Sequence, residues 1–108
     1  MTTTEKNILI AQFMGAKIHG TEKKVVVFPD GKKYEGGTKR ILEYHSSWDW
    51  LIPVVSEILS REFKINSLGL DNEYDELYYN LQDALWTLEI DQVYEVVIEF
   101  IEWYNCKN

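Results

Sequence analysis

Residues 24–35 read KVVVFPDGKKYE, and this stretch decides the fold class. Three valines and a phenylalanine suit a pleated surface, Pro29-Asp30-Gly31 supplies turn chemistry, and Lys32-Lys33-Tyr34-Glu35 can return antiparallel. A hairpin is expected here, ended by Gly36-Gly37. The rest of the chain reads mostly as helix. The expected fold is therefore α+β: a single layered domain over residues 1–108, with about four helices and a small, mostly antiparallel sheet. Chain length agrees, since 108 residues should leave roughly 6,300 Å² exposed and bury about two-thirds of the unfolded surface, enough for one core.

Before the hairpin, Thr2 and Glu5 have capping-box spacing, residues 8–14 are almost all apolar, and Gly15 stands where a left-handed cap is wanted. These signals predict a helix at about 4–14. After the hairpin, residues 41–45 suit a short strand, and Ser46 or Ser47 can cap a helix carrying Leu51, Val54, Val55, Ile58 and Leu59. Pro53 lies past the first turn of that helix, so a kink or a tight Trp48-Asp49-Trp50 turn is expected. Residues 63–68 alternate and can add a strand, while Gly69 and Asp71-Asn72-Glu73 read as a loop. Beyond it, Tyr74, Leu77, Tyr78, Leu81, Leu85 and Leu88 form a helical stripe. A last helix at about 90–104 buries Val93, Val97, Phe100, Ile101 and Tyr104, widened by Val96 and Trp103.

Charge is unevenly spread along this pattern. The chain carries a formal −7, which argues against a nucleic-acid backbone or an anionic membrane as partner. Residues 1–64 hold ten basic and eight acidic side chains, whereas residues 65–106 hold ten acidic and no basic ones. On the last helix Asp91, Glu95, Glu99 and Glu102 share one face. Like charges at this spacing cost an isolated helix about 0.2–0.5 kcal/mol per pair. The face reads either as the solvated side of a well-buried helix or as a docking surface for a basic protein partner.

Catalytic signatures are absent from the sequence: it has no GxGxxG, P-loop, HExxH, CxxC or GxSxG. No catalytic residue, cofactor or metal ligand is therefore assigned. With two histidines and one cysteine, a closed zinc site would have to recruit several carboxylates at unmatched spacings. Asp71 to Glu76 fails as a calcium loop, because Glu76 replaces the glycine and Gln82 the glutamate of that motif. The lone Cys106 fits a reducing compartment, and no signal peptide or membrane span is legible, so a cytoplasmic location is expected.

The densest chemistry lies at His45, Ser46, Trp48, Asp49 and Trp50. These residues can form a ligand pocket at a strand-to-helix junction, with an indole stacking on the ligand and His45 and free amides holding a polar group. Alternatively Ser46 caps the helix, Asp49 complements its dipole, and the indoles cover the core edge. A concave opening beside Trp48 and Trp50 would favour the first reading; complete burial of both would end it. Tyr79, Trp86 and Trp103 lie outside the main stripes, which points to homo-oligomer formation through a helical face.

Three blocks, NILIAQFMG at 7–15, YHSSWDWLIPVV at 44–55 and VYEVVIEFIEWYN at 93–105, resemble a group of small phage, prophage and gut-anaerobe proteins similar to the phage ABA-sandwich type. The resemblance spans roughly a third of the chain and implies a layered α/β arrangement and a mobile-element accessory role. It implies no activity, cofactor or catalytic residue. The leading expectation is a non-enzymatic protein-interaction module acting through its acidic C-terminal face, ahead of a small-ligand binder with a pocket at His45 to Trp50.

Overall fold

In the computed structural model the described residues are 1–20, 25–35, 42–61, 65, 69 and 71–107. Among them the order is α1 (Thr3–Phe13), β1 (Lys17–His19), β2 (Val25–Val27), β3 (Lys33–Glu35), α2 (Trp48–Ser60), α3 (Asp71–Thr87) and α4 (Ile90–Lys107). The result is a small α+β domain with four helices and one three-stranded antiparallel sheet. No described helix is long and apolar enough to cross a membrane.

The first helix starts and stops as its sequence dictates. Thr2 Oγ1 accepts the Glu5 N–H at 3.2 Å while the Glu5 carboxylate accepts the Thr2 N–H at 3.1 Å, a complete capping box. At the other end Ala16 N–H reaches back to Ala11 O at 2.9 Å and Gly15 N–H to Gln12 O at 3.0 Å, the two bonds of a Schellman cap. Gly15 holds φ +94°, and a Cβ built there would meet Pro29 Cγ of the hairpin turn at 3.2 Å. Conformation and close approach therefore both require glycine.

The sheet runs β1-β2-β3, with Val26 opposite Ile18 on one side and Tyr34 on the other. Period-two alternation places these three side chains on one face, and Val26 is almost fully buried. The hairpin closes through Gly31 N–H to Phe28 O (3.0 Å) and Phe28 N–H to Lys32 O (2.9 Å), with Gly31 at φ +91° in the left-handed slot of a three-residue loop. Strand β1 is an addition to the expected elements; Ile18 is the one apolar residue in its three positions, too few to establish a period.

Residues 42–45 do not form the expected strand. Ser46 and Ser47 N–H both bond Glu43 O, at 3.1 and 2.9 Å, so the chain turns instead. Leu42 and Tyr44 are buried on either side of exposed Glu43, which reproduces strand-like alternation without strand pairing. Helix α2 begins after Ser47, which makes no side-chain cap bond; the Ser46 cap is thus not formed. Trp50 and Leu51 N–H share Ser47 O at 3.1 and 3.0 Å, the tight first turn expected ahead of Pro53, and the helix continues through the proline. The strand expected at 63–68 falls outside the described residues except for Ile65, which is helical and bonds Arg61 O. Asn72 and Glu73 belong to the first turn of α3 rather than to a loop; acidic residues suit that end of a helix dipole.

Helix α4 is the centre of the core. Val93, Val97, Phe100, Ile101 and Tyr104 are buried as their spacing predicts, and Tyr94 and Ile98 are buried beside them. The helix is covered by α3, reached through the two-residue turn Leu88-Glu89, and by α1 and α2 on other sides. Phe13 of α1 sets its ring edge-on to Phe100 and Tyr104, at centroid distances of 6.2 and 6.0 Å. Arg61, at the end of α2, lays its guanidinium 3.9 Å from the Phe13 ring centroid, donates to Phe13 O at 3.1 Å and pairs with Glu57 at 2.9 Å.

Candidate functional site

The five residues expected to form one ligand site are divided by the fold. His45 turns towards α1, Ser46 is exposed in the turn, and Trp48 is half-buried against the core. Asp49 and Trp50 alone line an open hollow of about 570 Å³ between the hairpin and α2. Its walls are aromatic, because the β2–β3 turn brings Phe28 and Tyr34 to the first turn of α2, while the 42–46 turn brings Tyr44. The rings meet in sequence: Phe28 against Tyr34 at 5.6 Å and 86°, Tyr34 against Trp50 at 5.4 Å and 65°, and Trp50 against Tyr44 at 5.2 Å and 87°. Burial, with a smaller contribution from Tyr34, pushes the Tyr44 hydroxyl well above its ordinary pKa of 10, so it remains a neutral floor. Asp30 and Lys32, both on the hairpin, complete the polar lining with Asp49.

His45 belongs to a different constellation. Asn7, 1% exposed, donates through Nδ2 to Leu42 O at 2.8 Å and lies 3.0 Å from His45 Nδ1. Tyr94 donates its hydroxyl to Asn7 Oδ1 at 2.9 Å. An amide nitrogen can only donate, so His45 Nδ1 is the acceptor in this contact. Burial, aided by the nearby Glu95 charge, pushes Tyr94 above its ordinary value. The network fastens the 42–46 turn to α1 and α4 and thereby places Tyr44 and Trp50. Asn7 is a buried structural position that sequence reasoning misses; its one signal is a lone amide at the head of an apolar run.

The acidic face is real but not uniform. Asp91, Glu95, Glu99 and Glu102 are all exposed on α4, and Lys6 of α1 pairs with Glu95 at 2.8 Å. Glu99 lies in a cleft against α3 together with Glu73 and Glu76. Glu73 accepts the Trp103 indole N–H at 2.7 Å and lies 3.6 Å from the Lys107 ammonium. Trp103 is therefore half-buried and anchored, and does not provide the free apolar surface expected of it. Tyr79 and Trp86 do, at 63% and 86% exposed. They are seven residues apart on α3, on one side of the helix with Asp75 and Gln82. Next to them Leu88 is 81% exposed and holds φ +59°, a left-handed conformation that glycine or asparagine normally fills. Among the described residues no group of three or more His, Cys, Asp or Glu side chains is arranged to hold a metal ion. Compared with protein-family models, with curated proteins and with solved structures, the chain finds no match.

Proposed function

We propose that this protein is a non-enzymatic interaction module whose α3–α4 side receives a basic protein partner presenting an apolar pocket or groove. The observation that carries the reading is Trp86, an almost fully exposed indole on a helix whose neighbours include acidic residues but no lysine or arginine. Tryptophan is costly to leave in water and is enriched among the residues that dominate binding energy. Leu88 adds to the case, because its exposed side chain and strained backbone both cost free energy in the isolated molecule. The acidic face on Asp91, Glu99 and Glu102 then supplies charge complementarity, steering a basic surface towards the indole. A mobile-element accessory role, implied by the sequence resemblance, and a cytoplasmic location, suggested by the lone Cys106, are parts of this reading.

Copies of the chain meeting through this side would bring like charges together, so a basic heterologous partner is favoured over a homo-oligomer. Co-purification from a native host, with wild type beside Trp86→Ser and the double variant Glu95→Lys/Glu99→Lys, tests the proposal. All three should fold, and one basic protein should be retained by wild type, lost by both variants, and released by raised salt. Retention of the same protein by both variants overturns the reading. Light scattering of wild type should give a monomer at all concentrations; a dimer lost in Trp86→Ser would mean that the partner is a second copy.

A further inference from the structure

We infer that the aromatic hollow between the hairpin and α2 is a binding site for a small organic ammonium cation. This inference is independent of the α3–α4 reading, because it uses none of the same residues. Successive rings of Phe28, Tyr34, Trp50 and Tyr44 stand at 65–87° to one another with centroids 5.2–5.6 Å apart, edge-to-face contacts that make one continuous aromatic lining with Tyr44 buried beneath it. The faces of such rings carry negative electrostatic potential and attract a cation without requiring it to donate a hydrogen bond. Around them Asp30 and Asp49 contribute two carboxylates against the single ammonium of Lys32, leaving the lining one charge negative.

Pro53, which has no N–H to return to the Asp49 carbonyl, lies with Asp49 in the lining. Volume is suitable as well: 570 Å³ falls within the roughly 300–1,000 Å³ typical of small-molecule sites. The cation–π contacts found among the described residues lie elsewhere, with Lys6 over Tyr94 and Arg61 over Phe13 and Tyr104. Asp49 lies in the first turn of α2, where its charge also suits the helix dipole.

The test is a calorimetric titration of the full chain with choline and with 3,3-dimethylbutan-1-ol, its uncharged isostere, at one ionic strength. Choline should bind saturably and about tenfold more tightly than the isostere, between the few-fold margin of an exposed and the roughly thirtyfold margin of a desolvated cation–π contact. Asp49→Asn, an exposed position that leaves the core intact, should weaken choline severalfold, and Lys32→Gln should tighten it. Trp50→Leu should abolish binding, with circular dichroism confirming the fold, and Trp86→Ser should leave it unchanged. Equal binding of choline and its isostere, tighter binding by Asp49→Asn, weaker binding by Lys32→Gln, or no saturable choline binding overturns the proposal.

Discussion

The junction of α1, α2 and α4 and the outer side of α3 follow opposite rules. At the junction Asn7 spends both amide hydrogens and its oxygen, and Arg61 divides its guanidinium between a carbonyl, a carboxylate and two rings. On the outer side of α3 and just past its end, the sequence places an indole and an isobutyl group in water, the latter on a left-handed backbone. The first region is optimised for the folded chain alone. The second carries costs that the folded chain does not recover, and that contrast separates a structural element from a surface kept for another purpose.

The contrast is broken most directly at Asn7. Asn7→Leu is nearly isosteric but takes away the partner of Leu42 O and His45 Nδ1 and leaves the Tyr94 hydroxyl only its longer contact to Thr3 O at 3.4 Å, and should cost about 3 kcal/mol in urea unfolding. A loss below about 0.5 kcal/mol would show that the network is incidental. Arg61→Lys keeps the charge but loses the planar fork, and should cost about 1–2 kcal/mol; an unchanged midpoint would remove the guanidinium from the account.

Alkaline titration reaches the same region through Tyr44. Its folded pKa lies above the ordinary 10, so its contribution is complete below pH 10 and is lost as pH rises towards the folded value. Stability should be flat from pH 7 to 9 and fall near pH 11 by about 1 kcal/mol for each shifted tyrosine, Tyr94 contributing beside Tyr44, with a shallower fall in Tyr44→Phe. Identical slopes would remove the tyrosine from the explanation. Leu88→Gly gives the smallest effect and the opposite sign. Relief of the left-handed strain should raise stability by up to about 1 kcal/mol, offset in part by the entropy of the unfolded glycine, while retention of the partner weakens. Destabilisation would place Leu88 with the structural residues and dissolve the distinction.

Legibility in the sequence follows the range of the interactions. Capping by Thr2 and Glu5, the Gly15 terminus and the Pro29-Asp30-Gly31 turn are local, and each is readable from a few neighbouring residues. The central helix is readable because Val93, Val97, Phe100, Ile101 and Tyr104 repeat often enough to establish a period. Strand β1 offers one apolar residue and no period, whereas residues 42–45 offer alternation whose cause is a turn. The candidate site is half legible. Trp50 and Asp49 reach the hollow from neighbouring positions, but the remaining rings arrive from the hairpin and the turn, and His45 is claimed by Asn7 across 38 positions of chain. Arg61 carries no sequence signal, since its partners lie on three separate helices.

Gly15 and Pro29 touch where the end of α1 meets the tip of the hairpin. Met14 and Pro29 also line the aromatic hollow, so the end of α1 and the tip of the hairpin together form one of its walls. Gly15→Ala would wedge the two apart by a few tenths of an ångström as well as straining the backbone. A position outside the lining thus bears on the wall that Met14 and Pro29 give the hollow.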